Sequence, residues 1–256
     1  MGRFGETAIG VTESLDKYDA FSASGLLEKF VDDFYLWYIR RSRDRVGPAA
    51  ESEKEREDFY MTTWLVLTNL VKVLAPFQPF MAEIIAANLI PVPSIHLVDW
   101  PSNLSLTFLR EAGHYRGNVM ADMQKARELV EKIHAARKQA GIPVRQPLKS
   151  YATTAKTLPS DYEELIKAET NVKGIFWGDK QEKLDIKLYP ELEEETKTRE
   201  LVRRIQSERK EKGLSLGQKV SVTNPWLPKD QKLENWLKKK AQVTELTHGE
   251  FNVKTV

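Results

Sequence analysis

The stretch AGIPVRQPLKSYATTA, residues 140–155, is where the chain changes its hydrophobic period. Upstream of it Val119, Met123, Ala126, Val130 and Ile133 recur every three to four positions, and Arg127, Glu131, His134 and Lys138 take the opposite face. That spacing predicts an amphipathic helix from about Asn118, which suits an N-cap, to Gly141, which suits the left-handed position that ends a helix. Downstream the apolar segments are short, rich in Val, Ile and Thr, and bounded by Pro, Gly and Asn: VRQPLKSYATTA, NVKGIFWG, KLDIKLY, KVSVTNPW and the closing NVKTV. They read as strands, with helices at about 191–212 and 230–240 between them. No internal repeat stands out. The expected architecture is a mainly α N-terminal helical bundle, residues 1–141, followed by a smaller α+β module, residues 142–256.

Outward toward the N-terminus the helical period persists. Leu27, Phe30, Val31, Phe34 and Tyr38 mark one helix; Tyr60, Trp64, Leu67, Val71 and Leu74 mark a second, on whose apolar stripe Trp64 is expected inside. Gly47-Pro48-Ala49-Ala50 reads as a turn, and ESEKERED as an acidic helix start favoured by the dipole. Pro79 suits a first helical position, and Pro91, Pro93 and Pro101 keep SIHLVDWP extended. If 142–148 is extended, Ile142, Val144, Gln146 and Leu148 share one face, while Arg145 is fixed on the other between two prolines.

Bulk properties exclude several classes of function. The 256 residues carry 39 basic and 37 acidic side chains, so affinity for nucleic acid has to come from local clustering rather than net charge. The absence of cysteine removes disulfides and thiolate chemistry, and His96, His114, His134 and His248 are too far apart for a helical metal site, so no metal is expected. Apolar runs fall far short of the ~20 residues that a membrane span needs, and the N-terminus has no apolar signal core, which points to a soluble cytoplasmic chain. A phosphate-cradling glycine loop, a Gly-x-Ser-x-Gly elbow and an HExxH pair are all missing, so no catalytic residue is expected.

Three clusters remain. WYIRRSRDR closes a helix with Arg40, Arg41, Arg43 and Arg45 beside aromatic rings; guanidinium groups next to aromatic faces suit phosphates and unstacked bases, although helix ends also recruit arginine for their carbonyls. In KTRELVRRIQSERKEK, Leu201 and Ile205 are expected to face a core while Arg199, Arg203, Gln206 and Lys210 form a neighbouring basic stripe, able to follow a phosphate backbone or simply to be solvated. The third cluster is Arg145 with Gln146, whose alternative is a salt bridge back to the helix at Glu131.

On these residues the chain resembles isoleucyl-tRNA synthetase, a class I aminoacyl-tRNA synthetase, in the region that follows the catalytic core. FVDDFYLWYIRRSRDR, LAPFQPFMAEII, SIHLVDWP, ARKQAGIPVRQPL, ETNVKGI and YPELEEETKTRELVRRIQSERKEKGL resemble six family segments in the family's order, together spanning about residues 15–214. Leu36 departs from the usual asparagine before the Trp-Tyr pair, and no match extends beyond about Lys219. The ATP-binding motifs, the editing insertion and a cysteine zinc knuckle are missing from these 256 residues.

The resemblance implies an anticodon-binding region that recognises the anticodon stem-loop of isoleucine tRNA, with adenylation, ATP and Mg belonging to a catalytic core of the same synthetase and this part inactive alone and monomeric. Implied RNA contacts are Arg40, Arg41, Arg43 and Arg45, then Arg137, Arg145 and Gln146, then Arg203, Arg204, Arg209 and Lys210, with Trp37 in the core. The competing expectation is a non-catalytic helical scaffold, or a synthetase-like paralogue, that makes protein contacts.

Overall fold

A computed structural model describes residues 1–47, 50, 52–101, 119–215 and 217–255. The chain divides into two compact units, Met1–Met120 and Ala121–Val256.

The described part of the first unit is helical. Helices α1 (Gly2–Asp16), α2 (Ala20–Asp33), α3 (Arg43–Val46), α4 (Glu53–Leu74) and α5 (Pro79–Leu89) follow in order. Their core gathers Phe4, Ala8 and Val11 of α1, Leu27 and Phe30 of α2, and Val66, Leu70 and Val73 of α4. α1 has no counterpart among the expected helices, because Gly2, Gly5 and Gly10 hide its Phe4-Ala8-Val11 face in a glycine-rich segment. Ser52 caps α4 by accepting from the Glu55 amide, and Pro79 opens α5, as expected. SIHLVDWP is not simply extended: Ser94 accepts from the His96 amide and winds Ile95–Leu97 into a 3₁₀ turn, which Glu83 holds by accepting from Ser94 Oγ and the Ile95 amide. The turn at Pro48-Ala49, residue Glu51, His114 and the N-cap Asn118 lie outside the described residues.

Two expectations for this unit are corrected. The helix marked by Leu27 to Tyr38 does not run on as one α-helix, since Phe34–Ile39 is π-helical. The wider turn keeps Phe30, Phe34, Tyr38 and, from α4, Phe59 in one stack, with centroids 5.8, 5.5 and 5.6 Å apart and planes within 14°. Trp64 is 46% exposed, with its indole N–H donating to the Leu89 carbonyl. The buried apolar side chains of α4 are Phe59, Val66, Leu70, Val71 and Val73, with Leu67 and Leu74 packed beside them; of the stripe chosen by spacing, Tyr60 and Trp64 are the two that lie outside, because amphipathic rings tolerate a wet edge.

The second unit is built from two copies of one motif. The first copy runs α6 (Val119–Gln139), β1 (Leu148–Thr153), α7 (Ser160–Thr170), β2 (Val172–Trp177) and β3 (Lys183–Leu184); the second runs α8 (Pro190–Glu211), β4 (Val220–Asn224), α9 (Gln231–Ala241), β5 (Val243–His248) and β6 (Asn252–Thr255). Each sheet has its first strand in the middle, parallel to the second and antiparallel to the third: β2-β1-β3 and β5-β4-β6. Both opening helices end in the same cap. Gly141 (φ 68°) and Gly213 (φ 65°) take the left-handed conformation, with Ile142 N–H on Arg137 O and Gly141 N–H on Lys138 O in the first copy. In the second, Leu214 N–H meets Arg209 O and Gly213 N–H meets Lys210 O, the same double bond pattern.

This duplication corrects the expectation of no repeat. It is written in the sequence once the two caps are superposed: RKQAGIPVRQPL (137–148) and RKEKGLSLGQKV (209–220) share Arg, Lys, Gly and Gln in register, with aliphatic residues matched at three further positions. Divergence elsewhere conceals it. Helix α7 and strand β5 were also absent from the expected elements, and the repeat requires both. Each connecting helix ends in a non-glycine residue at positive φ, Asn171 (54°) and Gln242 (56°), directly before its parallel strand.

Candidate nucleic-acid interface

The expected contact residues fall into three groups. Within the first unit, Arg40 and Arg43 are exposed and Arg41 is half-buried along the π-turn and α3. Arg40 Nε donates back to Leu36 O at 3.2 Å, while Arg45 donates to Ser42 Oγ at 2.6 Å with its guanidinium 6.0 Å from the Tyr38 ring. These arginines partly satisfy the helix end, yet Arg40, Arg43 and Arg45 remain at the surface. Trp37 is half-buried rather than core.

Arg137 and Arg209 are turned inward, so their placement as RNA contacts is corrected. Arg137 is 1% exposed and donates to Pro143 O (3.2 Å), Gln146 O (3.0 Å) and Asn171 O (2.9 Å). Burial pulls its pKa down to about 10, still far above neutrality, so it remains a cation neutralised by three carbonyl dipoles. Arg209 repeats the arrangement with Ala241 O (2.9 Å) and Ser215 O (2.8 Å). Asn171 completes the first lock by donating to Val144 O and Arg145 O.

The lock shapes the segment between the prolines. Residues 142–148 are not extended: Gln146 N–H bonds Pro143 O across a turn at Val144 and Arg145, which overturns the parity expected of a strand. The turn sends the exposed Arg145 side chain outward, with no hydrogen bond or ion pair among the described residues and none to Glu131.

Arg145 lines a groove of about 420 Å³ with Thr196, Arg199, Glu200, Arg203, Arg204 and Ser207 of α8. Helix α8 buries Leu201, Val202 and Ile205, and the i, i+3, i+4 spacing puts Thr196, Glu200, Arg203 and Ser207 on the adjoining face. Four guanidinium groups therefore meet the one carboxylate of Glu200. Two of the four are held in place. The Arg204 guanidinium lies 3.7 Å from the centroid of the Phe251 ring, and Arg199 forks onto Glu195 Oε1 at 3.1 and 2.7 Å with Trp236 5.8 Å away. Arg203, like Arg145, has no ion pair among the described residues. Gln146 is half-buried and faces a neighbouring depression with Pro147, Leu192 and Lys197, while Lys210 is exposed on α8 outside the groove.

Glu195 anchors the rim. Its burial favours the neutral acid, but hydrogen bonds and charge from Lys173 (2.5 Å) and Arg199 prevail and hold its carboxyl below the ordinary carboxylate value. A cleft of about 460 Å³ between α6 and residues 155–159 mixes Asp122 and Glu128 with Lys125, Lys132 and Lys156, so it presents no comparable field. Among the described residues no cluster of His, Cys, Asp or Glu could hold a metal ion, and no helix is long and apolar enough to cross a membrane.

Spacing alone found Arg199 and Arg203 as part of a stripe. It missed the role of Phe251, which lies far along the chain and carries no local signal.

Residues 1–152 match the family model described as the anticodon-binding domain of tRNA ligase. Among curated relatives, the isoleucine–tRNA ligase of Clostridium novyi is 37% identical over 175 residues, and that of Clostridium tetani 36% over 177. Each alignment covers 66% of this chain and 16% of the relative. The isoleucine–tRNA ligase of Thermus thermophilus is 34% identical over 154 residues, covering 57% of this chain and 14% of the relative. The chain thus spans about a sixth of the length of the first two relatives.

Proposed function

Because the chain belongs to the anticodon-binding domain family of tRNA ligases, we propose that it holds the anticodon stem-loop of isoleucine tRNA for an isoleucine–tRNA ligase. Adenylation with ATP and Mg, and aminoacyl transfer, belong to the catalytic core of that ligase, and the setting is the cytoplasm. The observation that carries the RNA role is the groove in which Arg145, Arg199, Arg203 and Arg204 converge.

Phosphates fix register, and base edges carry sequence information. In the groove, Arg203 and Arg145, without ion pairs among the described residues, are the cations for phosphate, whereas Arg204, seated over the Phe251 ring, presents a pre-oriented fork that binds a phosphate or a base edge bidentately. Ser207 adds a hydroxyl that both donates and accepts, and Thr196, whose hydroxyl donates to Leu192 O, adds an acceptor. Arg40, Arg43 and Arg45 of the first unit offer a separate set of phosphate contacts.

The test is a titration of labelled isoleucine tRNA, and of the same tRNA with a swapped anticodon, at two salt concentrations. Engagement of about four phosphates gives a log–log salt slope of roughly −3, and a swapped anticodon weakens binding. Equal affinity for both tRNAs refutes anticodon reading, and affinity independent of salt refutes the groove.

A second reading, protein contact, is favoured by the apolar side chains on and after α5: Phe80 is 86% exposed and Ile84 and Leu97 are also open. Polar substitutions there that abolish aminoacylation by a full-length ligase, while leaving tRNA affinity of this chain unchanged, assign that face to the rest of the enzyme.

A further inference from the structure

The two copies in the second unit invite comparison row by row. In the first sheet Ile175, Tyr151 and Leu184 are cross-strand neighbours; in the second the same row is Leu246, Val222 and Val253. These rows face inward, since Tyr151, Val222 and Val253 are at most 2% exposed. The next residues along the strands point to the opposite face. There the second copy has Thr247, Thr223 and Asn252, an ordinary polar row. The first copy has Phe176, Ala152 and Lys183.

Phe176 is 62% exposed, so the fold does not use its ring, and the sister copy does without one. The floor beside it is flat. Ala152 is the middle member of its row, and the next row is Ser150 with Gly174, where an added Cβ would meet nothing closer than Lys149 O at 3.8 Å. No side chain lies over that glycine within 4 Å. At the far strand Lys183 is exposed and makes no ion pair among the described residues. Two strand spacings separate Phe176 from Lys183, about 10 Å, which a long lysine side chain bridges toward a phosphate attached to a base resting on the ring.

We propose that the outer face of the β2-β1-β3 sheet is a stacking platform for one unpaired nucleotide of bound RNA, with Phe176 beneath the base and Lys183 on the flanking phosphate. An aromatic ring on an open sheet beside small residues and a free cation has the chemistry that accepts any base face, so the platform confers affinity for single-stranded RNA rather than sequence choice. It rests on the reading of the chain as an RNA binder, but on residues separate from the arginine groove.

The experiment uses the whole chain, a fluorescein-labelled unstructured 12-nucleotide RNA, its perfect duplex, and Phe176→Thr, which installs the residue of the sister copy. Loss of one stack lowers affinity for the single strand roughly 5- to 150-fold, with the duplex changed less than about twofold. Phe176→Tyr retains binding, since its ring stacks equally well, and Lys183→Ala reduces the salt slope by about one while Phe176→Thr leaves it unchanged. Melting temperature is unaffected by Phe176→Thr because the ring is exposed. If the wild-type chain binds RNA and Phe176→Thr binds the single strand as tightly, the platform is refuted and the groove stands. If the wild-type chain binds neither RNA, both fall.

Discussion

Replacing Arg137 by Met separates an arginine that holds the fold from one that serves the surface. The methionine is similar in length but cannot donate to Pro143 O, Gln146 O or Asn171 O. Hydrogen bonds to a charged group contribute roughly 1.5–3 kcal/mol each, which would give a large gross loss. Two offsets reduce it. Pro143 O keeps the Gln146 amide and Asn171 O keeps the Leu148 amide, so of the three acceptors Gln146 O alone gives up its hydrogen bond, and removing a buried cation recovers its desolvation cost. A net destabilisation of about 2–4 kcal/mol follows, or roughly 10 °C in the melting temperature of a unit this size. Arg209→Met produces a smaller loss, because the second lock has two carbonyl acceptors among the described residues, Ala241 O and Ser215 O, in place of three. Arg145→Ala, at an exposed turn, stays within about 0.5 kcal/mol while weakening tRNA binding. Scanning calorimetry of the three variants checks the set. A shift below 2 °C for Arg137→Met, or a large one for Arg145→Ala, would invert the assignment of inner and outer arginines.

Two further perturbations test other parts of the structure. Phe30→Ala, which empties the first unit's core and breaks the aromatic stack, costs about 3–5 kcal/mol, whereas Trp64→Ala, half exposed with one hydrogen bond, costs less than about 2 kcal/mol; urea unfolding distinguishes them. Glu195 has its carboxyl pKa depressed in the folded state, so its contribution is present above the ordinary value near 4.5 and disappears as pH falls through the folded value. Glu195→Gln therefore flattens the decline in stability as the pH falls below the ordinary carboxylate value, and a decline as steep as that of the native chain contradicts the Lys173–Glu195–Arg199 arrangement.

Local rules made the helical first half and the alternating strands readable, because caps and periodicity act over a few residues. Ser52, Pro79 and Gly141 behave as their chemistry demands. What spacing could not supply was contact at a distance. Tyr60 and Trp64 fall outside while Leu67, Val71 and Leu74 of the same stripe pack inside, because the neighbours that decide which positions are covered come from other elements of the unit. The turn at Val144-Arg145 defeats the extended reading because Arg137 and Asn171 tie down its carbonyls from 6 to 27 residues away along the chain. Arg137 and Arg209 were misplaced for the same reason: a guanidinium at a helix end looks identical in sequence whether it faces solvent or two or three carbonyls. The duplicate was missed because seven related positions in twelve become visible only when the two caps are set in register.

The paired motif also bears on how the polypeptide is made. The arginine bonds that lock each copy are short in sequence, 34 residues from Arg137 to Asn171 and 32 from Arg209 to Ala241. Contacts of such modest separation form quickly, so the first copy has every residue it needs to close before the second has been translated. The C-terminal half of the chain can then be completed in two successive steps, each sealed by its own arginine. Slow amide exchange inside β1 and β4 would persist as two separately melting populations rather than one.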